Sequence, residues 1–174
     1  RGLGDVYKRQ GVIFAGLMLG LTKGRWVEKV ISEINREKID LLKTIKENTN
    51  ACTDVTGFGL VGHLYEMTKN SSLGVNINLH KILFFEGAEE LSLKNVRSTL
   101  YPENVNVEHQ LDAKLSDDPR YELCFDPQTA GGFLLSIPTK KVGYCLERLR
   151  SSGCHHSCEI GIVTNDRKGV TISL

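Results

Sequence analysis

One acid and three glycines mark the stretch of this chain best suited to chemistry: Ala51-Cys52-Thr53-Asp54-Val55-Thr56-Gly57-Phe58-Gly59-Leu60-Val61-Gly62-His63. Asp54 stands where an apolar segment, Ala51–Val55, gives way to a polar, glycine-rich turn. The pattern predicts a buried strand, a turn and then an apolar-periodic helix. Gly57, Gly59 and Gly62 strip side chains from one side of the helix start. Helix N-termini expose unpaired N–H groups and attract anions. A carboxylate beside such an end suits a divalent cation held against phosphate. The chemistry to expect is a phosphate-and-magnesium surface with Asp54 as the metal ligand. Ordinary turn chemistry is the competing reading, because Asp bonds its own backbone in turns. Thr56 also suits a helix cap.

A second stretch, residues 120–137, reads Arg-Tyr-Glu-Leu-Cys-Phe-Asp-Pro-Gln-Thr-Ala-Gly-Gly-Phe-Leu-Leu-Ser-Ile. Tyr121–Phe125 and Phe133–Ile137 have the look of short buried strands. The loop between them, Asp126–Gly132, then serves as a hairpin-like connection. Pro127 fixes one backbone dihedral, and Gly131-Gly132 permits positive φ or close backbone approach.

Taken together, the two stretches resemble the C-terminal domain of selenophosphate synthetase (selenide, water dikinase). That family carries Thr-Asp-Val-Thr-Gly-Phe-Gly, matched by Thr53–Gly59, and Asp-Pro-Gln-Thr-Ser/Ala-Gly-Gly, matched by Asp126–Gly132. Gly87–Leu91 and Tyr101–Asn104 look like further family positions, and the resemblance covers residues 11–174. The wider superfamily includes aminoimidazole ribonucleotide synthetase, thiamine-monophosphate kinase and a hydrogenase-maturation protein, which usually differ in the second motif.

The resemblance implies the conversion of selenide, ATP and water to selenophosphate, AMP and phosphate. It implies ATP and Mg2+ bound between an N-terminal domain and this one. Asp54 matches a magnesium ligand of the family. Thr53, Thr56, Gly57 and Gly59 would shape the metal–phosphate site, and Gln128, Thr129, Gly131 and Gly132 would face the cleft. The family's nucleophile, its neighbouring Lys and the other aspartates belong to the N-terminal domain, so no catalytic residue is expected here, and this chain by itself is expected to be inactive. A homodimer is implied for the full-length protein. Two other readings stay open: a free-standing binding or regulatory module of this fold, and a related ATP-dependent enzyme acting on a ribonucleotide or thiamine phosphate.

These residues need a scaffold. Val12–Leu21 reads as a strand, with a short helix as the alternative. Trp26, Val27, Val30, Ile31 and Ile34 recur at helical spacing, which predicts an amphipathic helix over 25–36. Ile39, Leu42 and Ile45 predict another over 38–48. Leu60, Val61, Leu64 and Met67 supply the core face of the helix that follows the first motif, with His63 a satisfied residue on it. Val75, Ile77 and Leu79 alternate with polar neighbours, as in a half-buried strand. A short helix is expected over 86–91, irregular structure with room for one strand over 92–119, and a solvated turn at Asp117–Arg120. A helix over 139–151 and strands over 159–163 and 169–174 follow. The fold class is α+β: a mixed sheet layered with helices, partly ferredoxin-like by the resemblance.

Composition narrows the functional classes. The chain has 174 residues, 22 basic and 21 acidic. That size suits one domain. The balance of charge gives no reason to expect nucleic acid or a membrane surface as partner. The run Val12–Leu21 is too short and glycine-broken to span a bilayer. Five scattered cysteines point to a reducing, cytoplasmic setting without a disulfide framework. Cys154-His155-His156-Ser157-Cys158 fits no common zinc-ligand spacing, and a connecting loop is the expected reading. Residues 1–10 do not fit the rest and resemble an adaptor-derived head. They are set apart from the domain, which is assigned to 11–174.

Overall fold

Strands with one apolar face must pair and be covered, and six of them do so here. The computed structural model describes residues 2–5, 10–35, 45–110, 118–129, 131–165 and 168–173. Strands β1 (Gly2–Asp5), β2 (Ala51–Asp54), β3 (Gly74–Asn78), β4 (Phe133–Ile137), β5 (Cys158–Thr164) and β6 (Gly169–Ser173) form one sheet in the order β2-β4-β1-β5-β3-β6. Four of the pairings are antiparallel, and β3 with β6 is parallel, so the sheet is mixed as expected. Residues 2–5 fill the slot between β4 and β5.

Alternation along β4 explains the layers. Leu134 points into a core with Val55, Leu60, Leu64, Ile77, Ile160 and Val170. Leu135 and Ile137 point the other way, onto Cys145 and Leu149. Helix α3 (Gly59–Thr68) supplies Leu60, Val61 and Leu64 to the first core. Helix α7 (Val142–Ser151) covers the opposite face through Cys145 and Leu149. Each fully buried Leu contributes roughly 1.5–3 kcal/mol.

A third cluster joins α1 (Gln10–Met18), α2 (Gly24–Ile34) and α4 (Ala88–Leu93) through Val12, Ile13, Trp26, Val30 and Leu91. The run 12–21 is the helix, not the strand, over most of its length. Apolar residues follow one another without a clear period, and such a run is ambiguous between the two. Helix α2 lies where the spacing of Trp26 and Val30 put it. Of the helix expected over 38–48, residues 45–48 are helical and the rest lies outside the described residues.

Residues 118–125 also differ from expectation. They form a helix, α6 (Pro119–Leu123), rather than a strand. Asp118 caps it by accepting the Arg120 N–H at 2.8 Å, and Pro119 takes the first helical position. An acid followed by Pro is a helix-start signal, so the expected solvated turn is in fact a cap. Tyr121, Leu123, Cys124 and Phe125 are nevertheless buried, which is why the segment resembles a strand. The loop 126–132 therefore joins a helix to β4 and is no hairpin. The expected irregular stretch also contains a short helix, α5 (Tyr101–Asn104), and a 3-10 run over Val105–Gln110. Residues 111–117 lie outside the described residues.

Candidate functional site

The two motifs meet in space through their main chains. The Val55 N–H donates to the Gly132 carbonyl at 2.9 Å, and the Gln128 N–H donates to the Thr56 carbonyl at 3.0 Å. One turn further, the Val61 N–H donates to the Cys124 carbonyl at 3.1 Å. Glycine makes this approach possible at two points. A Cβ on Gly131 would collide with the Val55 carbonyl oxygen, and Gly59 has φ +67° with the Phe125 carbonyl carbon 2.8 Å from where its Cβ would stand. Both positions demand glycine for space, and Gly59 also for its dihedral. Nothing crowds Gly57 within 4 Å.

Three side chains that the sequence reading did not assign to the site hold it. The Asn104 amide donates to the Gly57 carbonyl at 2.7 Å and to the Phe125 carbonyl at 2.9 Å. His63 Nε2 accepts the Thr56 N–H at 3.0 Å and lies 3.3 Å from the Thr56 hydroxyl. The Thr56 hydroxyl is thus no helix cap; the residue before α3 is Phe58, without a side-chain cap. Asp126, buried, accepts the Val12 N–H at 2.9 Å, which places a carboxylate at the N-terminus of α1. There it meets the positive end of the helix dipole. Separations of 47 residues for Asn104 to Gly57 and 114 for Val12 to Asp126 hide these contacts from local patterns.

Asp54 ends β2, opposite Phe133 of β4, and is exposed. The strand is an outer one with Ala51, Cys52 and Asp54 exposed, whereas a buried strand was expected. An edge position frees one side of the strand, so alternation does not bury it. Among the described residues the Asp54 carboxylate takes part in no ion pair. Cys52 shares its face of the strand. Desolvation first, and the Asp54 carboxylate second, push the Cys52 thiol above its ordinary value. That environment opposes thiolate formation and makes Cys52 a poor nucleophile. Thr53, Thr56, Gly57 and Gly131 are partly exposed and Thr129 is exposed, while Gly59, Gln128 and Gly132 are buried. Phe58 is also exposed and borders a groove of about 250 Å³ with Tyr65, Glu66, Glu103 and Val107.

Among the described residues no group of three or more His, Cys, Asp or Glu side chains is placed to hold a metal ion. Asp54 is a single exposed carboxylate. A lone carboxylate is compatible with Mg2+, which keeps several waters and takes one or two carboxylates plus substrate phosphates. Around Cys154–Cys158 the thiols serve apart: Cys154 is buried with Cys145 and Leu149 on the α7 side of the sheet, and the Cys158 Sγ donates to the Lys81 carbonyl at 3.3 Å. None of the five cysteines is in a disulfide. No helix among the described residues is long and apolar enough to cross a membrane.

The sequence that builds these two laced glycine loops matches a known family model, the AIR synthase related protein C-terminal domain, over residues 22–173. The chain belongs to that family. Within reach of this AIR synthase related domain are curated proteins named selenide, water dikinase. The one from Caldanaerobacter subterraneus is 34% identical over 122 residues, 70% of this chain and 35% of the relative. The one from Carboxydothermus hydrogenoformans is 30% identical over 168 residues, 93% of this chain and 48% of the relative. The chain thus spans less than half the length of these relatives. Among solved structures, hydrogenase maturation protein HypE of E. coli shares the fold with a TM-score of 0.62 at 15% identity, over 99% of this chain and 45% of that one. Thiamine-monophosphate kinase of Stenotrophomonas maltophilia does so with a TM-score of 0.61 at 12% identity, over 98% and 49%. The α+β class and the family resemblance are both established by these likenesses.

Proposed function

We propose that this chain is the C-terminal domain of a selenide, water dikinase, the ATP-dependent enzyme that makes selenophosphate, AMP and phosphate from selenide, ATP and water. The observation that carries the reading is the lacing of the two motifs. Thr53–Gly59 and Asp126–Gly132 form one surface with a single unpaired acid, Asp54, at its rim. That surface suits one wall of a nucleotide cleft. Asp54 would hold Mg2+, and the ion would neutralise phosphate charge during transfer. Thr53, Thr56, Gly57 and Gly59 form the part of the wall nearest the acid. Gln128, Thr129, Gly131 and Gly132 form the part across the interlocking hydrogen bonds. The rest of the clamp belongs to the portion of the relatives that this chain does not span.

The test is Asp54→Asn in the full-length protein, followed by phosphorus NMR with ATP, Mg2+ and selenide. Selenide-dependent AMP formation is expected to vanish while circular dichroism stays that of the parent. Near-normal turnover would overturn the assignment. The same assay with thiamine phosphate or an aminoimidazole-precursor ribonucleotide in place of selenide decides between this enzyme and its relatives.

A further inference from the structure

Beside the laced loops lies a cavity of about 270 Å³, lined by Gly11, Gly57, Ser98, Leu100, Gln128 and Thr129 among others. Gln128 is only 4% exposed and Ser98 only 8%. The Gln128 amide nitrogen, the Gln128 amide oxygen and the Ser98 hydroxyl all lack a hydrogen-bond partner. Leaving such groups unsatisfied costs about 1–3 kcal/mol each, and a ligand that satisfied them would recover that cost. Together they offer an amide donor, an amide acceptor and a hydroxyl able to play either part.

The charge of the lining narrows the ligand. Among the described residues no charged side chain lines the cavity. The Asp126 carboxylate lies beside Gly11, with an oxygen 2.9 Å from where a Gly11 Cβ would stand. An anion would find no cation here and one acid close by. A small neutral molecule that both donates and accepts fits better. Buried waters typically make about three hydrogen bonds, the number that Gln128 and Ser98 provide.

We propose that Gln128 and Ser98 hold the water that serves as a phosphoryl acceptor. This rests on the dikinase reading above and deepens it, since that reaction uses selenide as one acceptor and water as the other. In the step concerned, the water oxygen bonds to the phosphorus of the phosphoryl group still joined to AMP. The bond from that phosphorus to the AMP oxygen breaks, and AMP leaves with the electron pair. One water proton stays on the released phosphate and the other passes to solvent. Gln128 does not take the proton; it orients the oxygen, as a glutamine orients water in GTP hydrolysis. The Gln128 main-chain N–H bond to the Thr56 carbonyl ties this residue to the loop that follows Asp54, the loop proposed above to carry the metal–phosphate surface.

Two measurements test it. In the 15N-labelled chain, cross-relaxation between water and the Gln128 side-chain NH2 is expected to show a retained water, and its absence would overturn the proposal. In the full-length protein, the AMP-to-ADP product ratio with selenide is expected to fall at least tenfold in Gln128→Leu, whatever the overall rate. Ser98→Ala is expected to lower it in the same direction. Gln128→Glu, which keeps the shape and an acceptor, is expected to lie between. A parental product ratio in both Gln128 variants would sink the assignment. A parent protein that makes no selenide-dependent AMP overturns the dikinase reading and the acceptor role with it, while the hydration result still reports whether the cavity holds water.

Discussion

The His63 imidazole reaches back from one turn into α3 to accept the Thr56 N–H at 3.0 Å, so the helix after the first motif anchors the loop before it. A neutral ring with an unprotonated Nε2 is required, because a donor nitrogen cannot accept. His63→Ala removes the acceptor and leaves the Thr56 N–H unsatisfied. We expect a loss of about 1–3 kcal/mol, read as a lower urea midpoint with an unchanged slope. Parental stability would mean that the loop holds itself.

Gly131 and Gly57 make opposite predictions although both belong to the motifs. A Cβ on Gly131 meets the Val55 carbonyl and, at 2.9 Å, the Gln128 amide oxygen. Gly131→Ala is expected to cost about 1–3 kcal/mol through overpacking. Gly57→Ala enters open space and is expected to stay within about 0.5 kcal/mol of the parent. Thermal unfolding of the pair checks both.

Cys52 is exposed, yet its thiol is held above the ordinary value, by desolvation first and by Asp54 second. At a fixed pH near 8 the thiolate fraction is therefore small, and alkylation by iodoacetamide is expected to be slower than for a free cysteine. Asp54→Asn removes the lesser cause and speeds alkylation of Cys52 in part, without restoring the free rate. Peptide mass spectrometry over time distinguishes Cys52 from the other four. Equal rates before and after the substitution would exclude the electrostatic coupling.

Asp118 is held below the usual carboxylate range chiefly by hydrogen bonding to the Arg120 side chain, aided by the Arg120 backbone N–H. A lowered value in the folded state means that the stabilisation is complete above the unfolded value of about 3.9. It is lost as the pH falls through the lower folded value. Asp118→Ala should cost about 1 kcal/mol at neutral pH and flatten the acid limb below pH 4. A denaturation series from pH 2 to 7 on both proteins measures the two effects together.

Much of this arrangement is readable from local pattern. The spacing of Trp26 and Val30 places α2, the alternation of Val75 and Ile77 places β3, and Cys145 with Leu149 places α7. The two motifs stand in the sequence as continuous words. Misreadings fall where apolar residues run together. Tyr121–Phe125 packs on nearly every side, so its helical period is erased, and only the Asp118-Pro119 pair before it carries the helix signal. The supports of the site were out of reach for a different reason. Asn104 and Asp126 act across long stretches of chain, and the polar duty of an Asn or Asp is set by what the fold brings to it.

One amide of Asn104 bonded to two carbonyls has a further consequence. Gly57 and Phe125 belong to different loops, and a shared donor at 2.7 and 2.9 Å makes them one body. Chain ordering that a flexible cleft would undergo at each encounter is here completed once, during folding. A ligand therefore meets this face as a finished template, and little conformational entropy is left to be lost on contact. Exchange broadening in relaxation measurements should therefore be absent from residues 55–60 and 124–128 while Asn104 is intact.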